Sequence, residues 1–263
     1  MFNQVQRYTH SLAVIIYSFI SIHTIGANQM PTQQMKPNQM YELRYKPVFA
    51  NFTESEFNCL KKQLYLRNYK KGQVLFDEGD KREKLFYLKK GLVRIERYDK
   101  SASFLYIDYN NPDTLFPYGG MFSDDTYHYS AYAATDVELY YLPADVFEQQ
   151  AIYNSEQLLY LYKKVSVILQ QQEKRIQYLA VSSATSRIIN TLLYLMENLG
   201  RHISPKTIEI PFPITINEIA DISGCSRETV GSVIKQLKED QQLEYKHKQF
   251  IFLHPSYFKS YSE

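Results

Sequence analysis

The stretch Thr215 to Asp240, TINEIADISGCSRETVGSVIKQLKED, constrains this chain more than any other segment. Thr215 and Glu218 have the T-x-x-E spacing of a capping box, which predicts a helix starting at Ile216. Ile219 and Ile222 give that helix an apolar face, and Ala220 is small enough to let a second helix approach. Gly224 suits the left-handed conformation that ends a helix. Ser226 is placed to cap a second helix, in which Val230, Val233, Ile234 and Leu237 recur at helical spacing. Two short helices joined by such a turn predict a helix-turn-helix, whose second helix enters the DNA major groove.

The first turn of the second helix carries Arg227, Glu228 and Thr229. Residues there reach base edges: arginine donates twice to guanine, and glutamate accepts from cytosine. An ordinary helical hairpin with a solvated Arg-Glu start shares this pattern, and the next segment helps to separate the two. Leu243 to Leu253, LEYKHKQFIFL, reads as two short strands around a basic turn, the wing of a winged helix. Lys246, His247 and Lys248 sit near its tip, within reach of phosphates.

Formal net charge is only +2, and residues 183–263 carry nine Lys/Arg and nine Asp/Glu. DNA affinity must therefore come from local placement of Arg227, Lys235, Lys238, Lys246 and Lys248, and from dimerisation, rather than from global charge. Cys59 and Cys225 offer neither a disulfide framework nor metal-ligand spacing, which fits a reducing cytoplasm and leaves no metal site expected. No P-loop, nucleophile elbow or metal-ligand cluster is present, so no enzyme activity and no cofactor are expected. A metal-binding β-barrel enzyme would need clustered His and Glu, and the β-rich region holds His128 alone.

Gly224-Cys-Ser-Arg-Glu-Thr-Val-Gly231 resembles the recognition-helix segment of the Crp/Fnr transcription regulators, and the resemblance extends from about Tyr69 to Phe258. It implies an α+β chain: an N-terminal β-roll (a jelly roll of the cyclic-nucleotide-binding kind), a long dimerisation helix and a C-terminal winged helix-turn-helix. The upstream residues agree. From Tyr69 to Leu142, short β-rich runs (73–76, 84–88, 92–96, 104–107 and 137–142) are punctuated by Gly72, Gly79 and Gly91. The 24 tyrosines and 15 phenylalanines suit half-buried pleated surfaces. Thr53-Glu-Ser-Glu56 predicts a helix through Leu64, Pro143-Ala-Asp145 opens a short helix, and a long helix runs from Ser155 to Leu179. Leu158, Leu161, Val165, Ile168, Gln172 and Leu179 alternate along it as a coiled-coil seam, with Arg175 interrupting; a helix packed on its own β-domain is the alternative. A supporting helix is expected over Arg187–Leu199. The expected division is residues 1–40 as an extension or an upstream start, 41–150 the β-roll, 151–182 the dimerisation helix and 183–263 the DNA-binding domain. Leu12 to Ala27 is an apolar run too short and too polar for a secure membrane span, so no membrane partner is expected.

Family members that bind cyclic AMP have a glutamate for the ribose and an arginine for the phosphate. Here Tyr118 and Tyr129 stand at those positions, within Pro117-Tyr-Gly-Gly-Met-Phe122 and Tyr129-Ser-Ala131. A buried anionic phosphate without its cation is strongly disfavoured, so cyclic-nucleotide sensing is not expected. In this the chain resembles the PrfA-like branch, which regulates virulence and stress genes. Tyr118, Gly120, Met121, Phe122, Tyr129 and Ser130 form the candidate pocket for an unidentified small effector. Where the family has a further base-reading arginine, this chain has Ser232. The resemblance implies a homodimer on a palindromic operator in double-stranded DNA, with RNA polymerase as partner through the loop 200–206. A ligand-binding β-roll whose C-terminal domain contacts protein is the competing expectation.

Overall fold

The computed structural model describes residues 33–34, 37–101 and 105–261. The apolar run Leu12–Ala27 and Phe104, at the start of one expected strand, lie outside the described residues. A helix over Pro37–Arg44 starts before Tyr41, so regular structure begins earlier than the expected β-roll boundary.

Two antiparallel sheets face each other as a sandwich. In one, strands Tyr65–Tyr69, Val137–Pro143, Lys84–Lys90 and Thr114–Phe116 lie side by side in that order. In the other the order is Val74–Phe76, Ser130–Ala133, Val93–Tyr98 and Leu105–Asn110. Strand Lys84–Lys90 is buried on both faces: Phe86 and Leu88 join the cluster between the sheets, and Leu85 and Tyr87 join a cluster shared with the helices. Aromatic rings fill much of the space between the sheets. Phe86 stacks between Phe76 and Phe116, with ring centroids 5.5 Å apart on each side, and Phe76 stacks on Tyr127 at 3.8 Å. The expected strands are present; Tyr65–Tyr69, Thr114–Phe116 and Ser130–Ala133 were not anticipated.

The capping box at Thr53 and Glu56 forms as expected, but its helix ends at Lys61 rather than Leu64 because the chain turns into the strand at Tyr65. The long helix has the expected bounds, Ser155–Leu179. Asn154 caps it by accepting from the Gln157 amide, and its side-chain nitrogen donates to the Asn51 carbonyl at 3.0 Å and to Glu56 at 2.8 Å. The helix is thereby tied at its start to the N-terminal helices of the β-roll.

After a short non-helical link at 180–183, the supporting helix Ala184–Leu199 carries the apolar face of the C-terminal core. The two helices of the motif, Ile216–Ser223 and Arg227–Glu239, pack on it. A four-stranded sheet in the order Arg201–Ser204, Thr207–Glu209, Gln249–Phe252, Leu243–Lys246 closes the domain. The segment 200–206, expected as a loop, is instead the first strand and turn of a hairpin: Arg201 pairs with Glu209 and His202 with Ile208. Every residue of that strand is exposed, so no apolar alternation marks it in the sequence.

Gly91 shows how tightly the sandwich closes. It has φ +94°, and a methyl group there would strike the Asp136 carbonyl oxygen and crowd Thr135. Gly91→Ala is expected to destabilise the protein by at least about 2 kcal/mol, through positive-φ strain plus the clash, in a urea or thermal melt.

Candidate nucleic-acid interface and the cavity beside it

The reading helix is positioned by three local devices. Thr215 accepts from the Glu218 amide while the Glu218 carboxylate accepts from the Thr215 amide at 2.7 Å, closing the capping box of the first helix. Gly224 ends that helix in the left-handed conformation at φ +60°. Ser226 then caps the second helix, accepting from the Thr229 amide at 3.2 Å. A fourth device lies outside the motif. The Arg187 guanidinium donates to the carbonyls of Val181 and Ser182 in the link and of Ser223 at the turn, and approaches the Cys225 sulfur at 3.5 Å. One side chain thus joins the link to the helix-turn-helix corner.

Arg227 and Glu228 are exposed on the first turn. The helix-terminal amide of Glu228 and the Ser226 hydroxyl hold the Glu228 carboxyl below its ordinary range. It therefore stays an anionic acceptor at neutral pH. Thr229 is half-buried, with its hydroxyl on that of Ser226 at 3.0 Å. Ser232 is exposed, and Lys235 is exposed with Glu239 at 3.8 Å. The wing strands pair Leu243 with Phe252 and Lys246 with Gln249. The two residues between, His247 and Lys248, have φ of 52° and 66°, and Lys246, His247 and Lys248 are all exposed at the tip. Such a two-residue turn usually shows Asn-Gly, which is why the sequence signalled a basic turn but not its tightness.

A cavity of about 520 Å³ lies where the β-roll, the long helix and the supporting helix meet. Tyr106, Asp108, Tyr118, Tyr129, Tyr160 and Tyr194 are among its lining. Of the candidate effector residues, Tyr118 and Tyr129 face this space; Gly120, Met121, Phe122 and Ser130 do not. Met121 packs against the core beside Tyr118, and Phe122 lies on the surface at φ +64°. Gly120 adopts φ +80° close to Asp124, and the Ser130 hydroxyl accepts from the Glu78 amide at 2.9 Å. His128 is exposed and its Nε2 lies 2.6 Å from Asp124.

The seam residues of the long helix do not share one open face. Leu161 is only 4% exposed in the single chain, and the Gln172 amide donates to Asp108 at 3.0 Å. Leu158 and Leu179 are half-buried, whereas Val165 and Ile168 are exposed, and Ile168 faces the cavity mouth. The large apolar side chains left in the open include Leu159, Tyr162, Leu169 and Ile176, at 46%, 70%, 57% and 68% exposure.

Sequence reasoning did not anticipate Arg94, Tyr106, Asp108, Tyr109 or Tyr194. These residues join the β-roll to the C-terminal domain, and strand periodicity alone carried no signal for that role.

Comparison with known proteins gives a consistent picture. Residues 66–153 match the cyclic nucleotide-binding domain family and residues 186–260 the Crp-like helix-turn-helix domain family. The HTH-type transcriptional regulator ArcR of Staphylococcus epidermidis is 30% identical over 186 residues, 70% of this chain and 79% of that one. ArcR of Staphylococcus aureus is 26% identical over 211 residues, 80% of this chain and 89% of its own length. Among solved structures, FixK2 from Bradyrhizobium japonicum superposes with a TM-score of 0.64 at 18% identity, covering 75% of this chain and 96% of that one. A CRP/FNR-family transcriptional regulator from Thermus thermophilus has a TM-score of 0.58 at 26% identity, covering 75% and 97%. No helix among the described residues is long and apolar enough to cross a membrane.

Burial raises the phenol pKa of Tyr127 to about 12 and pushes those of Tyr106, Tyr118, Tyr129 and Tyr194 higher still. An unfolded tyrosine ionises near pH 10, so the fold binds these protons more tightly than the unfolded chain does. Their stabilising contribution is complete below about pH 10 and is lost as pH rises through the folded values. Alkaline titration is expected to show much of the phenolate absorbance appearing together with loss of helical dichroism, in one cooperative step.

Proposed function

The chain belongs to the Crp/Fnr family of DNA-binding transcriptional regulators, and from that premise we propose that it acts in the cytoplasm as a homodimer that reads a palindromic operator without responding to cyclic AMP. The observation that carries this reading is the exposed pair Arg227 and Glu228 on the first turn of a helix anchored by Ser226. Arg227 would take the two acceptors of a guanine and Glu228 the amino group of a cytosine in each half-site. Lys246, His247 and Lys248 would meet phosphates from the wing, fixing register without reading sequence. Ser232 is too short to replace an arginine, so one base pair of the family's half-site goes unread.

Dimerisation is supported by the open apolar residues of the long helix. Leu159, Tyr162, Leu169 and Ile176 recur at helical spacing on the side turned away from the β-roll. We assign the partner seam to them rather than to the set that includes Leu161 and Gln172, which are occupied within the protomer. Two recognition helices about one DNA turn apart would follow from that symmetry. The hairpin Arg201–Glu209, with His202 and Ile203 exposed, is the proposed polymerase contact. Control of virulence or stress genes is the output we assign, on the sequence resemblance.

Independence from cyclic AMP rests on Tyr118 and Tyr129 in the cavity wall. The cavity lining carries Lys164 together with Asp108, Asp113 and Glu197, whose carboxylates already engage Arg175, Lys46 and Lys174. A cyclic phosphate would lack its paired cation among phenols that burial keeps neutral.

Arg227→Ala is expected to weaken operator binding by about 1–3 kcal/mol and to relax preference at one base pair of each half-site. Lys248→Ala is expected to weaken all sequences alike and to lower the salt slope by about one. Gel shifts over salt, operator variants and an operator with one half-site scrambled check these outcomes. An Arg227→Ala protein whose preference for its operator over random DNA is unchanged would refute the helix assignment. Calorimetry with cyclic AMP should show no heat of binding at micromolar ligand, since losing two charge-assisted contacts shifts affinity by several powers of ten; micromolar binding would reverse the reading.

A further inference from the structure

We propose that strands Val93–Tyr98 and Leu105–Asn110 of the β-roll latch the DNA-binding domain of the same protomer, with Arg94 and Tyr109 acting as positioning residues for base reading through Glu218. The inference rests on the DNA-reading function proposed above and assigns to it residues remote from the recognition helix.

The covalent connection between the long helix and the DNA-binding domain is the short link at 180–183, which by itself leaves the domain several orientations. Contacts from the β-roll remove that freedom. The Tyr109 hydroxyl donates to the Glu218 carboxylate at 2.9 Å, and the Arg94 guanidinium approaches the same oxygen at 3.4 Å. The Asp108 carboxylate accepts the Tyr194 hydroxyl at 2.9 and 3.0 Å, and Asn111 donates to the Asn198 carbonyl at 2.8 Å. Leu92 and Ile107 belong to the same buried apolar cluster as the core of the winged domain. The interface therefore combines apolar packing with polar bonds made by partly buried groups.

Glu218 does two jobs at once. One carboxylate oxygen closes the capping box at Thr215, and the other receives Tyr109 and Arg94. The latch therefore grips the first helix of the motif itself, one left-handed turn before the reading helix. A dimer that reads two half-sites at fixed spacing needs each reading helix held in place, because a loosely held domain loses orientational freedom on binding and so loses affinity. That loss falls on specific complexes, where geometry must match, and little on random DNA, where phosphates suffice.

The test uses the full chain with Tyr109→Phe, Glu218→Gln and the double variant. Tyr109→Phe removes only the hydroxyl. Glu218→Gln keeps a capping-box residue at that position while removing the charge that faces Arg94. Wild-type preference for operator over random DNA is measured first; its absence would sink the proposed function rather than the latch. With that preference in hand, each single variant is expected to lose roughly five- to tenfold in the operator-to-random affinity ratio, a range typical of coupling between sites. The double variant should lose less than the two single losses combined, because Tyr109 and Arg94 meet on the same Glu218 oxygen. Amide exchange at 180–183 should speed up in all three. Unchanged ratios, fully additive losses, unchanged exchange in the link or a gain in operator affinity would each overturn the proposal. If Glu218→Gln lowers the melting temperature through its cap, Tyr109→Phe, which leaves the cap intact, decides the matter alone.

Discussion

The carboxylate of Asp108 is the point at which three parts of the chain meet. It sits on a β-roll strand, accepts the Gln172 amide from the long helix and accepts the Tyr194 hydroxyl from the supporting helix of the winged domain. Tyr106, two residues earlier on the same strand, adds a further donor at 3.2 Å. A partly buried carboxylate is costly unless such donors surround it, and once surrounded it holds them in one geometry. Arg175 stands nearby at 3.8 Å, over the rings of Tyr106 and Tyr194 at 4.7 and 5.3 Å. That pair is too long for a close ionic hydrogen bond, and Arg175 Nη1 has no hydrogen-bond partner among the described residues. The aromatic faces therefore supply much of the environment that lets a buried guanidinium persist at a helix position where a coiled coil would place an apolar residue.

Tyrosine is the residue through which the β-roll serves both packing and chemistry. Tyr127 and Tyr129 pack their rings on Phe76 in the sandwich, while the Tyr127 hydroxyl donates to the Lys84 carbonyl at 2.9 Å. Around the cavity the same composition gives a wall of neutral phenols with raised pKa values, backed by carboxylates. Tyr118 and Tyr129, on which the proposed independence from cyclic AMP rests, are part of that wall.

Features set by short-range hydrogen bonding could be read in advance. Both capping boxes, at Thr53 with Glu56 and at Thr215 with Glu218, lie where the spacing put them, as do the left-handed Gly224, the Ser226 cap and the bounds of the long helix. The first of these helices ended early because the strand at Tyr65 began. The hairpin Arg201–Glu209 escaped notice since its first strand is exposed throughout and shows no alternation of burial. The two-residue wing turn was obscured because His247 and Lys248 adopt a conformation more often signalled by asparagine and glycine.

The local grammar of the DNA-binding motif, the sandwich built of short strands and the family to which both belong were therefore legible from residue order alone, because caps, turns and periodicities depend on residues three or four apart. Packing in three dimensions settled which face of the long helix stays open, which tyrosines share a cavity and what the second oxygen of Glu218 binds. Asp108 and Tyr194 lie 86 residues apart, and Tyr109 and Glu218 lie 109 apart, with the whole long helix and the link between them. No periodic pattern encodes such a pair, since their meeting depends on how the two domains dock after each has satisfied its own core.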